Sequence, residues 1–385
     1  MTIVVTGAGS GGHITPILAV ATELKRLDPN VKIVFIGQKG DKLVDVVEKN
    51  PDIDSCFYIP AGKMRRYSDK GLSQLLDLHT QALNLRDLMR TVNGLGQSWR
   101  LLARIRPDIV FTRGGYISVP VAISAWLRHI KYITHDSDST PSLANRIIAP
   151  MASIHAVALD PKTYPYPKEK TVQVGVPINA SFKPVSAKDQ EEFIKELGLG
   201  AYTKLICVTG GGNGAATLNH LVKENVPFLL KKYPDLAIVH IAGRSLAIDL
   251  AKSYDSLLAP KDRKRVIVKG FVTDLYRYSG AADIIIARGG ATNLAEFAAQ
   301  GKACIIIPSP QLIWNIKNAR ELAKEHAIAM LSEEQAEQEL RLAHTVATLF
   351  DHPKSREELK TKITQFFVPN SARKIAELLL NTSRK

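Results

Sequence analysis

Three glycine-rich segments stand where a strand-like run gives way to a helix, and each could hold an anion. They are Gly7-Ala8-Gly9-Ser10-Gly11-Gly12-His13, Thr209-Gly210-Gly211-Gly212-Asn213-Gly214-Ala215 and Arg288-Gly289-Gly290-Ala291-Thr292-Asn293. Glycine lets the backbone approach a ligand. The unpaired N–H groups and positive dipole end of the following helix favour a phosphate or diphosphate. For the second, a tight turn without a ligand is the alternative. His13 closes the first segment, where an imidazole could hold or accept a proton near neutral pH. Glu296 lies about two turns into the third helix, and a carboxylate there could accept from both vicinal hydroxyls of a ribose; a solvated helix glutamate is the alternative, which the glycine-rich entry weakens.

Two more polar clusters sit at strand ends. His135-Asp136-Ser137-Asp138 follows Tyr132-Ile133-Thr134, and Gly114-Gly115-Tyr116 follows the strand before it. Open α/β sheets take ligands at the carboxyl ends of their strands. The first glycine segment also fits the dinucleotide fingerprint, but Gly37-Gln38-Lys39 stands where that fold places its acidic residue. A nicotinamide cofactor is therefore disfavoured. No Ser/His/Asp order and no metal-ligand spacing appears. Cys56, Cys207 and Cys304 are far apart and set in apolar runs, which suits buried thiols in a reducing compartment.

Short β-branched runs alternating with helical stretches must position these groups. Ile3–Val5, Ile33–Ile36, Ile109–Phe111 and Tyr132–Thr134 read as buried parallel strands, with helices over Ile14–Leu27 and Val119–Arg128 between them. A Pro/Tyr/Lys-rich stretch, Pro161–Lys170, reads as a linker. The pattern then restarts with Leu205–Val208, Ala237–Val239, Val266–Val268, Ile284–Ile286 and Cys304–Ile307. The expected fold class is α/β, with two Rossmann-like domains over 1–162 and 163–367 facing across a cleft. The closing helix, 368–385, is expected to return to the first domain.

The chain has 385 residues and a formal charge of +14, which predicts an anionic partner; a basic surface kept for solubility is the alternative. The basic residues lack aromatic interleaving, so nucleic acid is not the expected partner. The chain opens on a strand-like run without signal-peptide pattern, and no apolar run could span a bilayer. Lys63 to Arg106 breaks the strand rhythm. Lys63, Arg65 and Arg66 precede an apolar-periodic region with Leu72, Leu75, Leu76, Leu83 and Leu88. This reads either as an interfacial patch for an anionic membrane surface or as a long helix packed on the first sheet; both can hold on different faces.

Taken in order, Gly7–Pro16 with His13, Gly114-Gly115-Tyr116, His135–Asp138, Gly210–Ala215 and Arg288–Glu296 resemble the MurG family. These are the peptidoglycan N-acetylglucosaminyltransferases of bacteria. The resemblance covers nearly the whole chain. It implies a GT-B fold and an inverting transfer of N-acetylglucosamine from UDP-N-acetylglucosamine to the muramyl 4-hydroxyl of undecaprenyl-linked lipid I, giving lipid II. It also implies a place on the cytoplasmic side of the cell membrane, in wall synthesis and hence in cell shape and division.

The resemblance further implies site roles. Gly210, Gly211, Gly212, Asn213, Gly214, Asn219, Arg288, Gly289, Gly290, Ala291, Thr292 and Asn315 would border the donor, Val272 would read uracil through its backbone, and Glu296 would bind ribose. Gly11, Gly12, Thr15, Tyr116, Asp138 and Asn145 would face the acceptor. His13 is the candidate base, with Asp136 and Asp138 as alternatives in the same region. No tightly bound cofactor or protein-held metal is expected, which leaves room for free Mg²⁺ on the leaving diphosphate. The chain departs from the family's usual pattern at Asp136–Asp138, Gly212, Asn179 and Asn315. Those departures keep open another acceptor lipid or a non-catalytic UDP-sugar-binding protein.

Overall fold

The computed structural model describes residues 1–7, 11–41, 43–62, 77–212 and 214–384, which form two compact units. The first comprises Met1–Asn179 with Asn370–Lys385, and the second Ala180–Pro369.

In the first unit the chain order is β1 (Thr2–Thr6), α1 (Gly11–Leu27), β2 (Lys32–Gln38), α2 (Val44–Glu48), β3 (Ser55–Ile59), α3 (Leu78–Ile105), β4 (Ile109–Thr112), α4 (Ser118–Leu127), β5 (Tyr132–Asp136), α5 (Leu143–Ile148), β6 (Ile154–Val157) and β7 (Thr171–Gln173). All these strands pair in parallel in the order β3-β2-β1-β4-β5-β6-β7. Ile3, Val4, Val5, Ile109, Val110 and Phe111 are wholly buried, as strands covered on both faces must be.

The second unit contains α6 (Ala187–Glu196), β8 (Lys204–Thr209), α7 (Ala216–Lys232), β9 (Leu236–Ile241), α8 (Ala247–Leu257), α9 (Pro260–Arg263), β10 (Val266–Lys269), α10 (Leu275–Ala281), β11 (Ile284–Ala287), α11 (Ala291–Gln300), β12 (Ala303–Ile306), α12 (Ile313–Lys324), β13 (Ala329–Met330), α13 (Glu333–Glu337), α14 (Arg341–Asp351) and α15 (Pro353–Ile363). Its parallel sheet runs β10-β9-β8-β11-β12-β13. In each unit the first strand lies between strands reached by connections that diverge: β1 between β2 and β4, and β8 between β9 and β11. That is the switch point where open parallel sheets bind ligands.

The expected boundary at 162 falls too early, because β7 extends the first sheet and the unit continues to Asn179. Pro161–Lys170 is not a linker. Its Tyr164 and Tyr166 rings are buried beside Val157, and Tyr166 stacks on His155 with centroids 4.0 Å apart. The final helix, α16 (Ser371–Arg384), belongs to the first unit and packs against α1, burying Ile375, Ala376, Leu379 and Leu380 along one stripe.

Candidate active site

In the second unit, two uncapped helix starts flank the switch point. After β8, Gly211 N donates to Thr209 Oγ1 at 3.2 Å, and Gly214 N closes a turn onto Gly211 O at 2.9 Å. Gly211 and Gly214 have φ of +84° and +75°, a region that favours glycine. At Gly214 a Cβ would also run into the carbonyl oxygen of Ala242. The loop leads to Ala215, the N-cap of α7, and Gly290 is the N-cap of α11. Neither residue has a side chain that could cap, a kind of helix start that suits an anion. Gly289 lies against the main chain of Asn315, where any Cβ would collide. The Asn315 amide nitrogen comes within 4.0 Å of the Gly290 Cβ position. Ala291 and Thr292 form the first turn of α11, and Asn213 lies outside the described residues.

Glu296 is 6% exposed and accepts from Asn293 Nδ2 at 2.9 Å. Burial pushes its carboxyl up to about 8, against the pull of the Asn293 bond. The Val272 side chain packs on the core, while Arg244 stacks over the Phe271 ring at 4.6 Å. The sequence reading overlooked Arg244, a cation just past β9.

Two donor-side expectations change. Arg288 donates to Ile307 O at 2.9 Å and pairs with Glu333 at 2.6 Å, so its guanidinium ties strand ends to α13. Asn219 is buried, donating to Ala242 O at 3.0 Å and meeting His240 Nε2 at 3.1 Å. It braces the wall beside the glycine loop instead of presenting its amide to a ligand.

In the first unit the ends of β1, β4 and β5 converge. Gly114 and Gly115, both at φ +82°, turn the chain after β4. His13 stands in the first turn of α1, and its Nδ1 lies 3.2 Å from Arg113 O. Part of His13 still reaches solvent, yet the surrounding protein lowers its pKa to about 4, burial contributing most and the Arg113 charge next. Gly11, Gly12 and Thr15 share the start of α1. The Tyr116 hydroxyl donates to Gln38 Oε1.

Asp136 is buried with both oxygens engaged: Oδ1 accepts from Asn145 Nδ2 at 2.8 Å and Oδ2 from Tyr166 at 2.7 Å. Burial pushes its carboxyl up, against those bonds and Arg113. Asp136 is therefore a structural anchor and a poor candidate for the base. Asn145 donates to His135 O at 3.0 Å as well as to Asp136, so both its N–H groups brace the loop instead of facing an acceptor. Asp138 is half-buried, and its carbonyl accepts from Tyr164 at 3.0 Å. Arg113 and Tyr166 carry no motif, and the sequence reading passed over both.

On α3, Gly94 abuts Pro60, and Ser98 and Leu102 are buried, whereas Leu85, Leu88, Met89 and Val92 are exposed at helical spacing. The helix thus packs on one face and leaves an apolar stripe on another. Arg86 and Arg90 flank the stripe and pair with Asp87. Lys63, Arg65 and Arg66 lie outside the described residues. Among the described residues, no helix is long and apolar enough to cross a membrane, and no His/Cys/Asp/Glu group is arranged to hold a metal ion.

Residues 3–156 match the glycosyltransferase family 28 N-terminal domain, and residues 205–378 match its C-terminal domain. A Bacillus pumilus (strain SAFR-032) protein is 30% identical over 98% of both chains. It is named UDP-N-acetylglucosamine--N-acetylmuramyl-(pentapeptide) pyrophosphoryl-undecaprenol N-acetylglucosamine transferase. The chain belongs to this transferase family, the MurG family. A Bacillus anthracis relative, transferase 2 of the same name, is 31% identical over 86% of this chain and 87% of its own. The crystal structure of Acinetobacter baumannii MurG superposes with a TM-score of 0.67 at 20% identity, covering 99% of each chain. The two parallel-sheet units are therefore the two halves of a GT-B fold.

Proposed function

We propose that this glycosyltransferase moves N-acetylglucosamine from UDP-N-acetylglucosamine to the muramyl 4-hydroxyl of lipid I, with inversion, giving lipid II and UDP in peptidoglycan synthesis. The observation that carries this reading is the relatedness at 30% identity over 98% of both chains. The pair of uncapped helix starts beside Glu296 agrees with it.

In this reading the second unit holds the donor. The Gly210–Gly214 loop and the α11 start at Gly289–Thr292 take the diphosphate on main-chain N–H groups. Glu296 accepts from the ribose, Val272 offers its backbone to uracil, and Asn315 faces the sugar. The first unit holds the acceptor against Gly11, Gly12, Thr15, Tyr116 and Asp138. His13 Nε2 takes the proton of the 4-hydroxyl as its oxygen bonds to the anomeric carbon. The bond from that carbon to the diphosphate oxygen breaks on the opposite side, and its electron pair leaves with UDP. Helix N-termini supply roughly 1–2 kcal/mol each at good geometry toward that growing charge, so orientation must contribute as well. Free Mg²⁺ in solution is compatible with this arrangement.

We also propose that the protein works at an anionic membrane surface, through the exposed stripe on α3 and the basic residues Lys63, Arg65 and Arg66. Spacing of i, i+3, i+4 and i+7 with flanking arginines suits shallow insertion beside acidic headgroups. Release of UDP and labelled disaccharide lipid from a soluble lipid I analogue tests the reaction. Turnover only with a different acceptor lipid would reject it.

A further inference from the structure

One residue holds His13 from two sides. Arg113 N makes the last bond between β4 and β1, donating to Thr6 O at 3.1 Å. Its carbonyl then leaves the ladder and accepts from His13 Nδ1 at 3.2 Å. Its guanidinium donates through Nη2 to Gly12 O at 3.2 Å and also to Ser137 Oγ. A carbonyl can only accept, so the proton of the neutral ring belongs on Nδ1 and the lone pair on Nε2.

We propose that Arg113 is a positioning residue for the transfer: its carbonyl fixes the His13 tautomer, while its guanidinium locks the backbone before His13 to the loop after β5. The inference rests on His13 acting as the base.

A purely structural role explains Arg113 poorly. It is 5% exposed, and its Nε–H has no hydrogen-bond partner among the described residues. Burying a guanidinium with an unmet donor is costly, and an apolar side chain of similar size would fill the space without that cost. What the arginine adds is a pair of bonds, to Gly12 and to Ser137, and a charge set between His13 and the carboxyls of Asp136 and Asp138.

The charged groups acting on His13 are Arg113 from the end of β4 and Asp41 from the turn after β2; Arg113 in turn faces Asp136, Asp138 and Tyr164. Burial and Arg113 lower the His13 pKa, and Asp41 raises it. Removing the Arg113 charge therefore raises it, and the acidic limb of kcat/KM moves to higher pH.

The test uses full-length wild type, Arg113→Gln and Arg113→Lys, with UDP-N-acetylglucosamine and a soluble lipid I analogue. Rates are measured against pH, and ¹⁵N shifts of labelled histidine report the tautomer. In Arg113→Gln we expect kcat to fall roughly 30-fold, with acceptor KM changed less than about threefold. The acidic limb should rise, while His13 keeps its Nδ1–H form, because the carbonyl of residue 113 is main chain and survives the substitution. Arg113→Lys keeps the charge and should lose rate without moving that limb. Rate and limb equal to wild type in Arg113→Gln, or an Nε2–H ring in wild type, would overturn the proposal. If that variant does not fold, wild-type kcat in Arg113→Lys would overturn it. Absence of turnover in UDP-binding wild type would reject the transfer reading, and the nitrogen shifts would still decide whether Arg113 sets the ring.

Discussion

Asn293 and Glu296 lie one turn apart on α11, and the amide of the first donates to the carboxyl of the second at 2.9 Å. That bond orients the carboxyl, but burial still holds it up near 8. A ribose binds best to the ionised form, which accepts from both hydroxyls. UDP affinity should therefore rise with pH between about 7 and about 9, above the phosphate's own ionisation near 6. Glu296→Gln should flatten that slope. Glu296→Ala should weaken UDP by roughly 10- to 100-fold, as for loss of hydrogen bonds to a buried charged group. Calorimetry across pH checks all three; unchanged affinity in Glu296→Ala would remove Glu296 from the ribose site.

Arg288 and Glu333 form a nearly buried pair, and Arg288 also serves the carbonyl of Ile307. Arg288→Ala should cost about 3 kcal/mol of stability by leaving both groups unpaired. Urea unfolding measures this. A variant as stable as wild type, but weak for UDP, would return Arg288 to the diphosphate.

The glycine loop after β8 should be unequally sensitive. At Gly211 a Cβ meets nothing nearer than Asn293 Oδ1 at 3.8 Å, so Gly211→Ala pays mainly for its positive φ, about 1 kcal/mol. Gly214→Ala adds a collision with the main chain of Ala242 and should cost about 3 kcal/mol or disorder the loop. Equal denaturation midpoints for the two would contradict this geometry.

How much of this was legible beforehand depended on position in the sheet. The central strands are unbroken apolar runs, so Ile3–Val5 and Ile284–Ile286 announced themselves. β3, β7 and β13 lie at the sheets' edges, are short or half-buried, and carry no such run. Pro161–Lys170 has a linker's composition, and only folding shows that Tyr166 reaches Asp136. The glycine loops could be read because strand, turn and helix are contiguous. Arg113, Arg288 and Asn219 could not, because their roles are set by Gly12, Glu333 and His240, which are remote in sequence.

Acid should destabilise the fold through its buried neutral histidines. Burial holds His240 at about 3, His155 at about 4 and His135 well below its usual value. Below about pH 6.5 the unfolded chain takes up protons that the folded one refuses, which costs about 1.4 kcal/mol per pH unit for each histidine. Glu296 works in the opposite direction between about 8 and its unfolded value near 4.5, because the folded state keeps its proton longer. Asp136, also raised, works the same way just above its unfolded value. Three histidines outweigh Glu296, so thermal midpoints should fall from pH 7 to pH 5. A midpoint that stays flat or rises would contradict these burials.

The apolar stripe on α3 should matter for lipid and not for chemistry. Leu88→Glu with Met89→Glu should reduce flotation with anionic vesicles, while turnover of a soluble acceptor stays at the wild-type rate. Unaltered flotation would exclude the stripe as the membrane contact.

The central claim is tested most directly by following labelled N-acetylglucosamine from its UDP form onto a soluble lipid I analogue, with wild type beside His13→Ala. The account predicts transfer by wild type and a loss of roughly 100-fold or more in the variant, the scale of a missing general base. Equal rates would remove His13 from the chemistry, and no transfer by folded, UDP-binding wild type would contradict the assigned acceptor.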